Sequence, residues 1–112
     1  MKTEEEELLN ELEALGKVIE KVATLNSDLS DKEKLKKVLP EVSKFSFSLS
    51  ELFGELEPLV RSVLVDTLVL MNSKFMEVIK DLSEEEKEEI KEEIENWEKS
   101  NSVLGSKYIC QS

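Results

Sequence analysis

The sequence predicts an all-α protein, more specifically an antiparallel four-helix bundle whose second helix is kinked at Pro40. Three observations support this fold class. Apolar residues recur at steps of three and four along most of the chain, and Ser or Thr precedes Glu by three residues where such patterns begin. Four segments of similar length are separated by short polar or Gly/Pro turns. At 112 residues, one domain is expected.

The first helix is predicted over residues 4–25. Thr3 and Glu6 match the capping-box pattern, in which the hydroxyl and the carboxylate satisfy free N–H groups of the first turn. The apolar stripe that follows is narrow, which is typical of a helix that buries one face. Its members are Leu8, Leu12, Leu15, Ile19 and Val22.

The second helix is predicted to start near Asp31, after the capping-box pair Ser30/Glu33. Residues 44–52, KFSFSLSEL, alternate as a half-buried strand does, but a strand here would have no partner. The helical steps continue through this stretch without losing phase, at Leu35, Val38, Val42, Phe45, Leu49, Leu52 and Leu56. We therefore expect one helix that bends at Pro40.

An alternative interpretation divides this helix. It stops at Leu39 and a new helix starts at Ser48, where Glu51 completes a further capping-box match. In the continuous helix, Phe47 lies with Pro40 on the face opposite the apolar stripe.

The third helix is predicted over residues 58–81, with Gly54 and Pro58 bracketing the preceding turn. It is apolar around most of its circumference, and such a helix must be covered nearly all round. Two outcomes are open: either its neighbours in the bundle cover it, or its surplus forms a self-complementary patch that produces a two-fold dimer.

The fourth helix is predicted from Ser83, again with a capping-box Glu at position 86, and Gly105 is its expected C-terminal cap. Its apolar stripe is thin: Ile90, Ile94, Trp97 and Leu104. We expect a single helical-bundle domain over residues 1–105 and a C-terminal tail over 106–112, from which Tyr108 and Ile109 can fold back onto the bundle.

Charge restricts the partners. With 26 acidic and 15 basic side chains the net charge is −11, which disfavours nucleic acids and anionic membranes and leaves a protein partner, with a basic protein as one candidate. Locally, residues 32–37 are basic and residues 84–98 are acidic, so the two segments are expected to lie near each other, within one chain or between chains. A lone cysteine, Cys110, and an acidic first segment predict a soluble cytoplasmic protein.

Catalytic residues are not predicted. The absence of histidine excludes Ser-His-Asp and Cys-His arrangements, histidine zinc ligands and the di-iron bundle pattern. Glu-x-x-Glu pairs at Glu4/Glu7, Glu85/Glu88 and Glu92/Glu95 leave a Mg²⁺-dependent carboxylate enzyme as a minor alternative. We expect no enzyme, no cofactor and no metal site.

The expected function is protein–protein interaction, with self-association as a homodimer. Interface candidates are apolar residues of the third helix, Phe47 near Pro40, and Phe53, which can cluster with Phe47. The five residues are Phe47, Phe53, Val65, Val69 and Met76. The alternative function is an acidic mimic of nucleic acid that occupies a basic site on another protein. This function predicts binding that weakens steeply as the salt concentration rises.

Overall fold

A computed structural model describes residues 3–25 and 29–111, and the chain is all-α over these ranges, without a β-strand. Helix α1 spans Glu4–Leu25 and α2 spans Asp31–Leu52. A 3₁₀ turn at Phe53–Glu55 leads to α3, Pro58–Asp81, and then come α4, Glu84–Glu89, and α5, Lys91–Gln111. No helix in these ranges has an apolar stretch long enough to cross a bilayer.

The helix starts follow the predicted caps. Thr3 Oγ1 accepts from the Glu6 N–H at 3.2 Å, and Ser30 Oγ accepts from the Glu33 N–H at 3.3 Å. At Ser83 the capping box is reciprocal, because the Ser83 N–H also donates to the Glu86 carboxylate at 3.1 Å. Local hydrogen bonding thus determines where α1, α2 and α4 begin.

Helix α2 runs without interruption through Pro40 and through the alternating stretch 44–52. The prediction of continuity is confirmed, and the alternative start at Ser48 is wrong. The helical periodicity determined the outcome because it places Phe45 and Leu49 on the buried side, where they are 4% and 0% exposed.

The fourth predicted helix differs in two ways. Ile90, with φ −114° and ψ 24°, divides it into α4 and α5. In addition, α5 passes through Gly105 and continues to Gln111, so Gly105 does not end the helix as expected. The division has a packing consequence: α4 buries no side chain, whereas Ile90 at the junction is 0% exposed.

Helix α2 lies at the centre of the core and packs most extensively against α5 and then α1, whereas α3 contacts α1 and α2 over less of its length. Small side chains accompany the closest packing, since buried serines lie on both partners: Ser43, Ser46 and Ser50 on α2, and Ser100 on α5. Their small volume permits helix axes to approach closely. The apolar core contains Leu8, Leu15, Val22, Leu35, Val38, Leu39, Val42, Phe45, Leu49, Phe53, Leu56, Leu64, Leu68, Leu82, Ile90, Trp97 and Leu104.

Candidate protein interface on helix α3

Helix α3 is the least covered of the long apolar segments. Within it only Leu64 and Leu68 are buried. Five large apolar side chains are instead exposed: Leu59 by 76%, Val63 by 49%, Val69 by 58%, Leu70 by 68% and Met76 by 62%. The neighbouring helices of the same chain therefore leave much of its apolar circumference in contact with solvent, and these side chains are available to a partner.

Two stripes of apolar residues reach the surface of α3: one faces largely away from the buried side, and the other lies beside the buried side, towards α5. Val65, Val69 and Met76, at steps of 4 and 7, form the α5-side stripe. Leu59, Val63 and Leu70 recur at the same steps and form the apolar part of the outer stripe. A polar strip that includes Ser62 and Ser73 separates the two stripes.

Met76, at the end of the α5-side stripe, lines an open groove of about 810 Å³ between α3 and α5. Met76 and Ile79 line one wall, and Ile94 and Trp97 line the other. Trp97 is 3% exposed, so its ring belongs to the core while its edge reaches the groove.

A hydrogen-bonded cluster of Asn72, Trp97 and Asn101, here called the Asn72 clasp, joins α3 to α5 beside this groove. Trp97 Nε1 donates to Asn72 Oδ1 at 2.9 Å, and Asn72 Nδ2 donates to Asn101 Oδ1 at 3.0 Å. The Trp97 ring also meets Phe75 edge-to-face, with centroids 6.3 Å apart. Sequence reasoning missed the clasp, although Asn72 interrupts the apolar spacing Val65, Val69, Met76 and so carried a detectable signal.

The predicted interface residues lie in different environments. Val69 and Met76 are exposed and Val65 is half-buried, and they share the α5-side stripe. Phe47 is half-buried on α2.

The expectation that Phe53 adds to a surface patch needs correction, because Phe53 is 1% exposed. Its ring meets Tyr108 edge-to-face at 6.1 Å between centroids, and the Arg61 guanidinium lies 5.5 Å from its centroid. Phe53 is a core residue because the end of α5 packs over it through Tyr108. This contact agrees with the expectation that Tyr108 packs against the bundle.

Charged segments meet at the other end of the molecule. Lys32, in the basic start of α2, forms an ion pair with Glu89 of α4, so the expected proximity occurs within one chain. The hydrogen bond to Glu89 raises the pKa of Lys32 above its ordinary value, although desolvation opposes the shift. Both side chains keep substantial contact with water, so the pair orients α4 more than it stabilises the fold.

Acidic side chains also meet where α1 approaches the α2–α3 connection. The Glu5 carboxylate accepts from the Glu57 N–H at 2.9 Å, at the start of α3. Next to it, the Glu55 side chain raises the pKa of Glu4, first because it accepts a hydrogen bond from the protonated Glu4 carboxyl and then because its negative charge opposes ionisation of Glu4. No group of three or more Asp, Glu or Cys side chains in the described ranges is arranged to hold a metal ion.

Comparisons with protein-family models, curated proteins and solved structures find no match.

Proposed function

We propose that this chain is a non-catalytic interaction protein that self-associates as a homodimer through α3. The observation that carries the proposal is the exposure of five large apolar side chains on one helix. Apolar surface of this extent on a small domain is characteristic of interaction sites.

The total surface supports the same conclusion. The accessible surface is 7423 Å², about 1,100 Å² more than surface scaling gives for a compact monomer of 12.8 kDa. Principal extents of 42 × 28 × 18 Å reflect a flattened, elongated molecule. Burying α3 against a second copy removes part of this excess, and apolar burial contributes about 25 cal/mol per Å² before the costs of association.

We further propose that the helices alternate in direction as an antiparallel four-helix bundle, with α4 and α5 together forming the fourth member. Glu5 near the start of α1 contacts Glu57 at the start of α3, which supports a parallel α1–α3 pair. Lys32 at the start of α2 meets Glu89 of α4, which supports a parallel relation of α2 and the fourth member. In this arrangement Pro40, on the exposed side of α2, bends the helix around the core.

Charge determines the proposed class of partner. Net charge −11 repels nucleic acids and anionic membranes, so we propose that the dimer acts on proteins and favours basic surfaces. The proposed cytoplasmic location rests on the lone cysteine, Cys110.

A second candidate, an acidic mimic of nucleic acid, rests on α4 and the start of α5. Seven glutamates are exposed there: Glu84, Glu85, Glu88, Glu89, Glu92, Glu95 and Glu98. This function predicts capture of a basic nucleic-acid-binding protein, with affinity that falls steeply as salt rises.

The test of self-association is the solution mass of the full chain by light scattering, at low and high protein concentration and at low and high salt. Reducing conditions prevent any contribution from a Cys110 disulfide. We expect the mass of two chains at high concentration, still detected at high salt because salt does not screen the apolar part of the interface. A mass of one chain under every condition contradicts the proposal.

A further inference from the structure

The outer stripe of α3 contains charges as well as apolar residues. Leu59, Val63, Asp66, Leu70, Lys74 and Glu77 follow one another at steps of 4, 3, 4, 4 and 3, and all six side chains are exposed. These spacings place them along one face of the helix, so a single partner helix can contact the whole stripe.

Two of the three charges, those of Asp66 and Lys74, are placed symmetrically about Leu70, whereas the third, Glu77, lies seven residues after Leu70 and matches Val63 seven residues before it. Asp66 lies four residues before Leu70 and Lys74 four residues after it, one helical turn in each direction. Within the described part of the chain, the ion pairs involve neither side chain. Both charges are therefore available to a group outside this chain.

We infer that the homodimer forms by antiparallel packing of α3 on α3 of a second copy, with the two-fold axis at Leu70. This inference rests on the proposed self-association and names the face and the register that it uses. In this register Leu70 meets Leu70 of the partner subunit, and Asp66 meets Lys74 of the partner subunit at two symmetric places. Parallel packing instead places Asp66 opposite Asp66 and Lys74 opposite Lys74, so like charges oppose it.

The length of α3 is sufficient for a specific interface of modest strength. Its 24 residues extend about 36 Å at 1.5 Å per residue. A helix face of this length buries on the order of 500 Å² on each partner, or about 1,000 Å² in total, which is the lower end for specific interfaces. Dissociation constants in the micromolar range or weaker are therefore expected.

A charge-reversal cycle measured by analytical ultracentrifugation tests the register. Asp66→Lys and Lys74→Asp each replace two attractive pairs by two repulsive ones, and we expect each to raise the dimer Kd about 10-fold or more. The double variant Asp66→Lys/Lys74→Asp restores both pairs, and its Kd is expected within about threefold of the original. The control Glu51→Lys makes the same change of charge on an exposed position of α2 and is expected to leave the Kd within that range.

A second pair of variants tests the face. Leu70→Asp places two carboxylates at the two-fold axis and is expected to raise the Kd more than about 100-fold. Val69→Asp makes the same kind of change at a similarly exposed position, 58% against 68%, but its side chain points about 100° away around the helix. We expect it to alter the Kd less than about threefold. Because both side chains are exposed, helicity by circular dichroism is expected to stay unchanged in each.

The outcomes separate this inference from the proposed function. A wild-type chain that stays monomeric to near-millimolar concentration overturns both. A stable dimer that Val69→Asp disrupts and Leu70→Asp does not, or whose charge-reversed double variant fails to recover, overturns the outer-stripe pairing and leaves self-association standing.

Discussion

Helices α2 and α3 have nearly equal lengths, 22 and 24 residues, and opposite environments. Nine residues of α2 are buried although its sequence contains lysines, serines and a proline. Only Leu64 and Leu68 are buried in α3, although α3 is the more apolar of the two. The amount of apolar sequence therefore does not determine which helix is covered.

The distribution of apolar residues explains the difference. In α2 they form one broad face bordered by small serines, so α1 and α5 can approach it closely from two sides. In α3 they surround most of the circumference, and neighbours on one side cannot cover the rest. A helix of the second kind is suited to bury its remaining faces against another molecule.

The largest expected effect compares one leucine from each helix. Leu49→Ala removes a side chain that is 0% exposed in α2 and is expected to lower the free energy of unfolding by about 3 kcal/mol. Leu59→Ala makes the same change at a position of α3 that is 76% exposed, and we expect a change within about 0.5 kcal/mol. Urea unfolding at low protein concentration measures both. Equal losses would show that the outer side of α3 is buried in the isolated chain.

The next largest effect on stability concerns the hydrogen bonds that join α3 to α5. Asn72→Ala removes the acceptor of Trp97 Nε1 and leaves this buried donor unsatisfied, at an expected cost of about 2 kcal/mol. Because the clasp joins α3 to α5, hydrogen exchange is expected to accelerate mainly in α3, while α2 stays protected. Asn96→Ala, at an exposed position of α5, is the matched control and is expected to change little. Uniform acceleration across α2 and α3 would mean that the two helices open together.

The sequence predicts features that depend on local interactions. Caps at Ser30 and Ser83 are encoded within four residues, and so they are confirmed at the predicted positions. The continuity of α2 follows from a periodicity that residues 44–52 do not break. All of these features are independent of how the helices pack against one another.

Features that depend on the assembled chain were not predictable. The division at Ile90 has no Gly or Pro to signal it and accompanies the burial of this residue in the core. Gly105 remains helical and Phe53 becomes buried because the end of α5 packs over the α2–α3 connection. Of the interface candidates, Val69 and Met76 are exposed, but the pattern alone could not distinguish covered from uncovered sides of α3.

A smaller effect concerns the closely packed side of α2. Ser46 is 0% exposed, and its hydroxyl finds no hydrogen-bond partner among the described residues. Ser46→Ala removes this unsatisfied group and favours the helix, so we expect the free energy of unfolding to rise by about 1 kcal/mol. Ser43→Ala is the comparison, because the Ser43 hydroxyl donates to the Leu39 carbonyl at 2.8 Å and its removal loses a bond. Thermal or urea unfolding distinguishes the two, and destabilisation by Ser46→Ala would indicate that its hydroxyl is bonded in solution.

The smallest expected effect lies where α1 meets the connection from α2 to α3. The pKa of Glu4 is raised above 4.5, chiefly by its hydrogen bond with Glu55, so the folded state holds the Glu4 proton more tightly than the unfolded state. The stability gained from this proton is fully present below pH 4.5 and is lost as the pH rises through the folded-state pKa, where the two carboxylates repel. Glu4→Gln is therefore expected to raise the melting temperature slightly at neutral pH and to change it little below pH 4.5.

Glu6→Gln is the control for this last comparison, because it removes another carboxylate from the first turn of α1 and lacks the Glu55 contact. Both substitutions lose the favourable interaction of a negative charge with the helix N-terminus. The difference between their melting temperatures, followed from neutral to acid pH, isolates the repulsion between Glu4 and Glu55. If that difference does not depend on pH, the Glu4 and Glu55 carboxylates are not in contact in solution, and the hydrogen bond from the Glu57 N–H to Glu5 is what links α1 to the start of α3. In that case α3 is joined to the core by this bond, the Asn72 clasp and its two buried leucines, Leu64 and Leu68, which makes the contrast with α2 sharper still.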